Sequence, residues 1–172
     1  MNRNIAYMRE MELKLLIIEY NKASQLDRSF SKTKLSHTKK IEFREKLLEY
    51  CIYLMEKVDN ETLVNSDIRE KIRELTRIDT NNISFGQAQK VVNVTLKQYC
   101  FVMNKENLLK ELDCPLDTTT MKDYRINHKK MIDVNEEDYL EYQDIYYKEF
   151  DGIRILKDCS YDEKRIHNYL NP

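Results

Sequence analysis

From Asn4 to about Ser24, Ile5, Met8, Leu15, Leu16 and Ile18, with Met11 and Leu13 beside them, recur at helical spacing with no glycine or proline between them. One helix is predicted there. Residues 25–38 are polar and rich in hydroxyls, which reads as a connector ending in Ser36 or Thr38, either of which can cap the next helix. That second helix runs from Lys39 to about Val58. Phe43, Leu47, Cys51, Leu54 and Val58 form one stripe, and Ile41, Leu48, Ile52 and Met55 an adjacent one, giving a face wide enough for two neighbours.

A shorter helix starts at Ser66, turns Ile68, Ile72 and Leu75 inward, and ends at the Asp79–Asn82 loop. Ser84 and Gln87 stand three residues apart as a capping box, so a third long helix is expected from Ser84 to about Met103. A short one follows over Asn104–Leu112 until Pro115 forbids continuation. Asp117 then caps a brief helix through Tyr124, and Asn135 caps a helix over Glu136–Phe150 that Gly152 stops. Ile153–Leu156 reads as extended, and the Ser160/Glu163 capping box opens a last helix to Leu170. The expected fold is mainly α: a single-domain bundle over residues 1–172 of about six or seven helices, with at most one short β pair.

Composition narrows this without naming a task. Two glycines and two prolines in 172 residues are too few for the tight turns of a β-sandwich or for a Gly-rich phosphate loop. The formal net charge of −1 argues against a histone-like coating of nucleic acid, which needs a large cationic excess. Cys51, Cys100, Cys114 and Cys159 form no CxxC, and His37, His128 and His167 stand apart, so no metal site, disulfide framework or cofactor is expected. No apolar run approaches the roughly 20 residues of a membrane span, and no signal-peptide core is seen, so a cytoplasmic protein with reduced thiols is expected. Lys, Asn, Ile and Tyr fill 60 of the 172 positions, a bias toward AT-rich codons that points to a low-GC bacterium or one of its mobile elements.

Four places could hold chemistry. On the Ser84 helix, Gln89, Asn93 and Lys97 lie at i, i+4 and i+8 with Lys90 alongside, a ridge of donors suited to a phosphate, a carboxylate or a base edge. The same ridge would equally serve as that helix's solvent face. In the connector, Arg28, Lys32, Lys34, Lys39 and Lys40 occur with no acid among them, beside Phe30 as a stacking group, the composition of a loop that follows a nucleic-acid backbone. Residues 133–163 hold eleven acids against three bases, a surface for a basic protein or for the connector of a second copy across a two-fold interface. Asp113 and Asp117 flank Pro115, where a metal-dependent nuclease could be imagined, although a turn residue and a helix cap explain them more simply. Tyr139, Tyr142, Tyr146 and Phe150 read as core.

No nucleophile elbow, HExxH or Walker motif is present, so catalysis is not the leading expectation. The favoured reading is a non-catalytic binding protein that contacts nucleic acid or another phosphate-bearing ligand through Gln89, Lys90, Asn93 and Lys97 and the basic connector. The alternative is a protein-interaction module, such as a mobile-element inhibitor or defence-complex subunit, acting through its acidic carboxyl-terminal helices.

Overall fold

Capping residues set most of the helix starts. The computed structural model describes residues 3–23, 28, 30–31, 33–122 and 130–171. Helix α1 spans Arg3–Ala23. Helix α2 spans His37–Asp59, and of its two candidate caps it is Ser36 whose hydroxyl accepts from the Lys39 amide at 3.2 Å. Helix α3 spans Asn65–Thr76 and buries Ile68, Ile72 and Leu75 as expected. Helix α4 spans Phe85–Val102 and carries the full capping box: the Gln87 amide donates to Ser84 Oγ at 3.1 Å, and the Ser84 amide donates to Gln87 Oε1 at 2.9 Å.

Beyond α4, Asn104 takes a left-handed φ of 53° and the chain continues as a 3-10 helix, Glu106–Glu111, in place of the expected short α-helix. Asp117 caps α5, Thr118–Met121, accepting from the Thr119 and Thr120 amides. The part of that expected helix beyond Lys122, with His128, lies outside the described residues. A 3-10 turn at Met131–Asp133 leads to α6, Glu136–Glu149, capped by Asn135. Helix α7 spans Leu156–Leu170.

The start of α7 corrects the sequence reading. Asp151 and Gly152 both take left-handed φ, 48° and 87°, and reverse the chain so sharply that Ile155 is buried and helix begins at once. The expected extended segment is absent, and Ser160 lies inside the helix, its hydroxyl donating to the Lys157 carbonyl.

No strand occurs among the described residues, and the fold is a mainly α bundle. Helix α4 packs against α1, α2, α3, α6 and both 3-10 segments. One apolar cluster from Ile17 to Ile155 surrounds it. Gly86 is required there, since a β-carbon would lie 1.8 Å from the Met131 carbonyl oxygen, and its amide donates to the Val134 carbonyl at 3.0 Å. No helix among the described residues is long and apolar enough to cross a membrane.

Candidate functional site

The polar ridge of α4 points neither to solvent nor into an open pocket. Gln89, Asn93 and Lys97 are buried, and Lys90 is nearly so. The extended segment from Leu112 to Asp117 covers the ridge. Gln89 Nε2 donates to the Leu116 carbonyl at 2.8 Å while its Oε1 accepts from the Leu116 amide at 3.0 Å. Gln143 of α6 treats Cys114 the same way, both bonds being 2.8 Å. Residues 114 and 116 of an extended chain direct their backbone groups to one edge, so two glutamines replace the missing neighbouring strand. Pro115 between them has no amide to satisfy, and its carbonyl accepts from Thr120 Oγ1 at 3.2 Å. The amides and carbonyls of Cys114 and Leu116 and the carbonyl of Pro115 thereby find partners, without which each would cost about 1–3 kcal/mol.

The remaining heads of the ridge are held by charge. Asn93 Nδ2 donates to Gln89 Oε1 and to the Tyr139 hydroxyl at 2.9 Å, and that hydroxyl donates to Asp113 Oδ2 at 2.7 Å. Arg69 of α3 grips both Asp113 oxygens, at 2.8 and 3.1 Å, with Arg154 at 3.5 Å. Asp113 is thus a fully buried hub joining α3, α4, α6 and the start of α7. Lys90 Nζ donates to Asp117 Oδ2 at 2.8 Å. Burial works against the Asp117 charge, yet Lys90 and the Thr119 and Thr120 amides hold its carboxyl below the usual range. Lys97 Nζ lies between Asp158, at 2.7 Å, and Asp162. Burial opposes its charge too, and the two carboxylates outweigh burial and raise its pKa. The carbonyl oxygen of Asn93 stays buried without a donor.

Other expected positions are distributed differently. Phe30 is buried edge-on against Phe43, ring centroids 5.0 Å apart, and anchors the connector where a stacking platform was expected. Arg28 and Lys34 are exposed, Lys39 pairs with Glu42 at 2.7 Å, Lys40 is half-buried, and Lys32 lies outside the described residues. Of the acidic third, Asp158 and Asp162 are consumed by Lys97, and Glu136 by Arg73 at 2.6 Å. Tyr139, Tyr142 and Tyr146 are core, whereas Tyr147 is exposed with the Arg154 guanidinium 4.8 Å from its ring centre. Among the described residues no cluster of three or more His, Cys, Asp or Glu could hold a metal ion.

The feature missed in the sequence is a groove of about 790 Å³ between α1 and α2. Leu13 of α1 and Leu48 and Ile52 of α2, each half-buried, form its apolar floor, with the fully buried Met55 beneath them. Its walls carry five acids, Glu10, Glu45, Glu49, Glu56 and Asp59, against Arg9 and Lys14. Both bases are already paired, Arg9 with Asp59 at 2.7 Å and Lys14 with Glu10 at 2.6 Å. Glu49 accepts from Lys46, while Glu45 and Glu56 have no ion pair among the described residues. Asp59 also accepts from the Tyr99 hydroxyl of α4 at 2.9 Å, and burial followed by that carboxylate pushes the phenol up to about 12.

Comparison with protein-family models, with curated proteins and with solved structures returns no match for this chain.

Proposed function

We propose that the chain is a binding module whose ligand is a basic amphipathic helix of another protein, received in the α1/α2 groove. The observation that carries the reading is an apolar floor walled by acids in excess, two of them without an ion pair among the described residues. An amphipathic helix laid in a groove presents its apolar face to the floor and its charged flanks to the rim, and basic flanks meet this rim best. The ridge of α4 fits a ligand role poorly because its cations already hold carboxylates of the same chain. This reading takes up the interaction module that the sequence offers as the alternative to a nucleic-acid or phosphate binder, but moves the surface from the carboxyl-terminal helices to α1 and α2. Composition supports a cytoplasmic setting in a low-GC bacterium or a mobile element, where such a module would serve as an inhibitor or a subunit of a larger complex.

The connector favours a second reading. Arg28 and Lys34 are exposed in a stretch that has no acid, and a phosphate backbone of nucleic acid is the ligand they suit. One titration separates the two. A fluorescent Lys/Leu amphipathic peptide about 20 residues long, an equally charged scramble without an apolar face, and a random single-stranded oligonucleotide are each added to the intact protein at low and high salt. Groove binding predicts at least about tenfold preference for the amphipathic peptide over its scramble. Equal binding of the two peptides would reduce the effect to charge, and oligonucleotide binding with neither peptide bound would transfer the function to the connector.

A further inference from the structure

Helix α1 has a second apolar stripe that its own fold does not use. Leu13, Leu16, Ile17 and Tyr20 turn toward the body of the protein. On the opposite side lie Met8, Met11, Leu15 and Ile18, with Met8, Leu15 and Ile18 exposed by 64%, 55% and 40%. Their spacing of three, four and three residues is the a/d seam of a coiled coil: Met8 and Leu15 at a, Met11 and Ile18 at d. Ile5 and Tyr7, also exposed, extend the patch along its amino-terminal flank.

The flanking charges say what covers the seam. Glu12 and Glu19 occupy the e positions and Lys14 a g position, so the borders carry opposite signs. A partner of uniform charge would match one border and be repelled by the other. A second copy, laid parallel and in register, matches both: Lys14 of each copy meets Glu19 of the other, the g-to-e pairing across a parallel seam. An antiparallel pair would set e against e, bringing Glu12 onto Glu19, and is disfavoured. The pairs these side chains make within α1, Lys14 with Glu10 and Glu19 with Lys22, are exposed and exchange at little cost.

We propose that two copies of this chain associate through α1 in a parallel, two-heptad seam. Two heptads are fewer than the three or four a free coiled coil needs, but here each helix is already folded against its own core. The association is therefore weak enough to be reversible. The seam lies on the side of α1 away from Leu13, so a dimer leaves the groove floor uncovered, while Lys14, which also lines the groove, turns from Glu10 to Glu19 of the other copy.

Sedimentation equilibrium of the intact protein up to about 500 μM tests it. Wild type is expected to self-associate, and Leu15→Asp, at an exposed position, to remain monomeric with an unchanged urea midpoint. Lys14→Glu and Glu19→Lys are each expected to weaken self-association about tenfold, and an equimolar mixture of the two to restore it as a heterodimer. Tyr169→Asp, in the exposed apolar end of α7, is the control and should change nothing. A wild type that is monomeric throughout, a Leu15→Asp that still associates, or a mixture no tighter than its components would each overturn the proposal.

Discussion

The ridge of α4 and the groove between α1 and α2 are opposites. The ridge is rich in polar heads, and the chain itself answers nearly all of them: glutamine to backbone, lysine to aspartate, asparagine to tyrosine. The groove exposes apolar floor and, among the described residues, leaves Glu45 and Glu56 without an ion pair. By residue type the ridge resembles a site and the groove a solvated helix pair. What distinguishes a binding surface is the group left over, because a satisfied donor has little further free energy to give a ligand, whereas uncovered apolar area and spare charge do. Variants in the ridge should therefore unfold the protein, and variants on the groove wall should leave it folded while removing a ligand.

The largest effect is expected at Asp113. Asp113→Ala leaves the Arg69 and Arg154 guanidiniums and the Tyr139 hydroxyl facing an apolar gap, and should cost about 3–5 kcal/mol in urea unfolding. A loss below about 1 kcal/mol would mean that the hub is solvated and the ridge is not a closed network. Next come the glutamines. Gln89→Leu or Gln143→Leu strips partners from one buried amide and one buried carbonyl, about 2–3 kcal/mol in each case. Gln89 should lie at the upper end because the Asn93 carboxamide loses its acceptor as well.

Alkaline pH tests the same core with a smaller, graded effect. Burial pushes the thiols of Cys51 and Cys100 up from 9.0 to about 12, and the Tyr99 phenol from 10.0 to about 12. The folded state keeps these protons where the unfolded chain releases them. Their contribution is full below about pH 9 and is lost as pH climbs toward 12, and the raised pKa of Lys97 acts with the same sign. The urea midpoint should thus hold steady near neutrality and fall above about pH 9. A midpoint that does not change up to about pH 11 would show that these groups reach water.

Helical periodicity and caps made the elements readable, because both act over three or four residues. Ser84 with Gln87 forms the box its spacing implies, and Asn135 caps its helix as expected, with Asp138 completing a box that was not expected. The start of α7 was misread because Ser160 and Glu163 look like a cap in isolation, while the turn at Asp151–Gly152 and the burial of Ile155 decide the register. The ridge was located but its use was not: spacing puts Gln89, Asn93 and Lys97 on one line, yet their covers arrive from Leu116, Tyr139 and Asp158, contacts fixed only by the tertiary fold. The groove was hidden for the converse reason. Leu48 and Ile52 belong to a stripe that looked ready for burial, and pattern does not say which part of a stripe stays uncovered.

One signal on the groove wall was nonetheless local, and it frames the smallest effect. Glu45 and Glu49 stand at i and i+4 on α2, a like-charge pair that destabilises a helix by a few tenths of a kcal/mol. Glu56 sits in the last turn of α2, at the negative end of the helix dipole, where a cation is preferred. These acids are held against the helix's own preference. Converting Glu45 and Glu56 together to lysine creates a favourable pair with Glu49 and places a cation at the carboxyl end, so stability should rise slightly, by about 0.5 kcal/mol. The same variant should bind the basic amphipathic peptide at least about tenfold more weakly. A protein that unfolds more easily by over about 1 kcal/mol would show that the acids support the fold. Unchanged peptide affinity would show that the rim takes no part in recognition; the opposite movement of stability and affinity is what a surface shaped by its ligand requires.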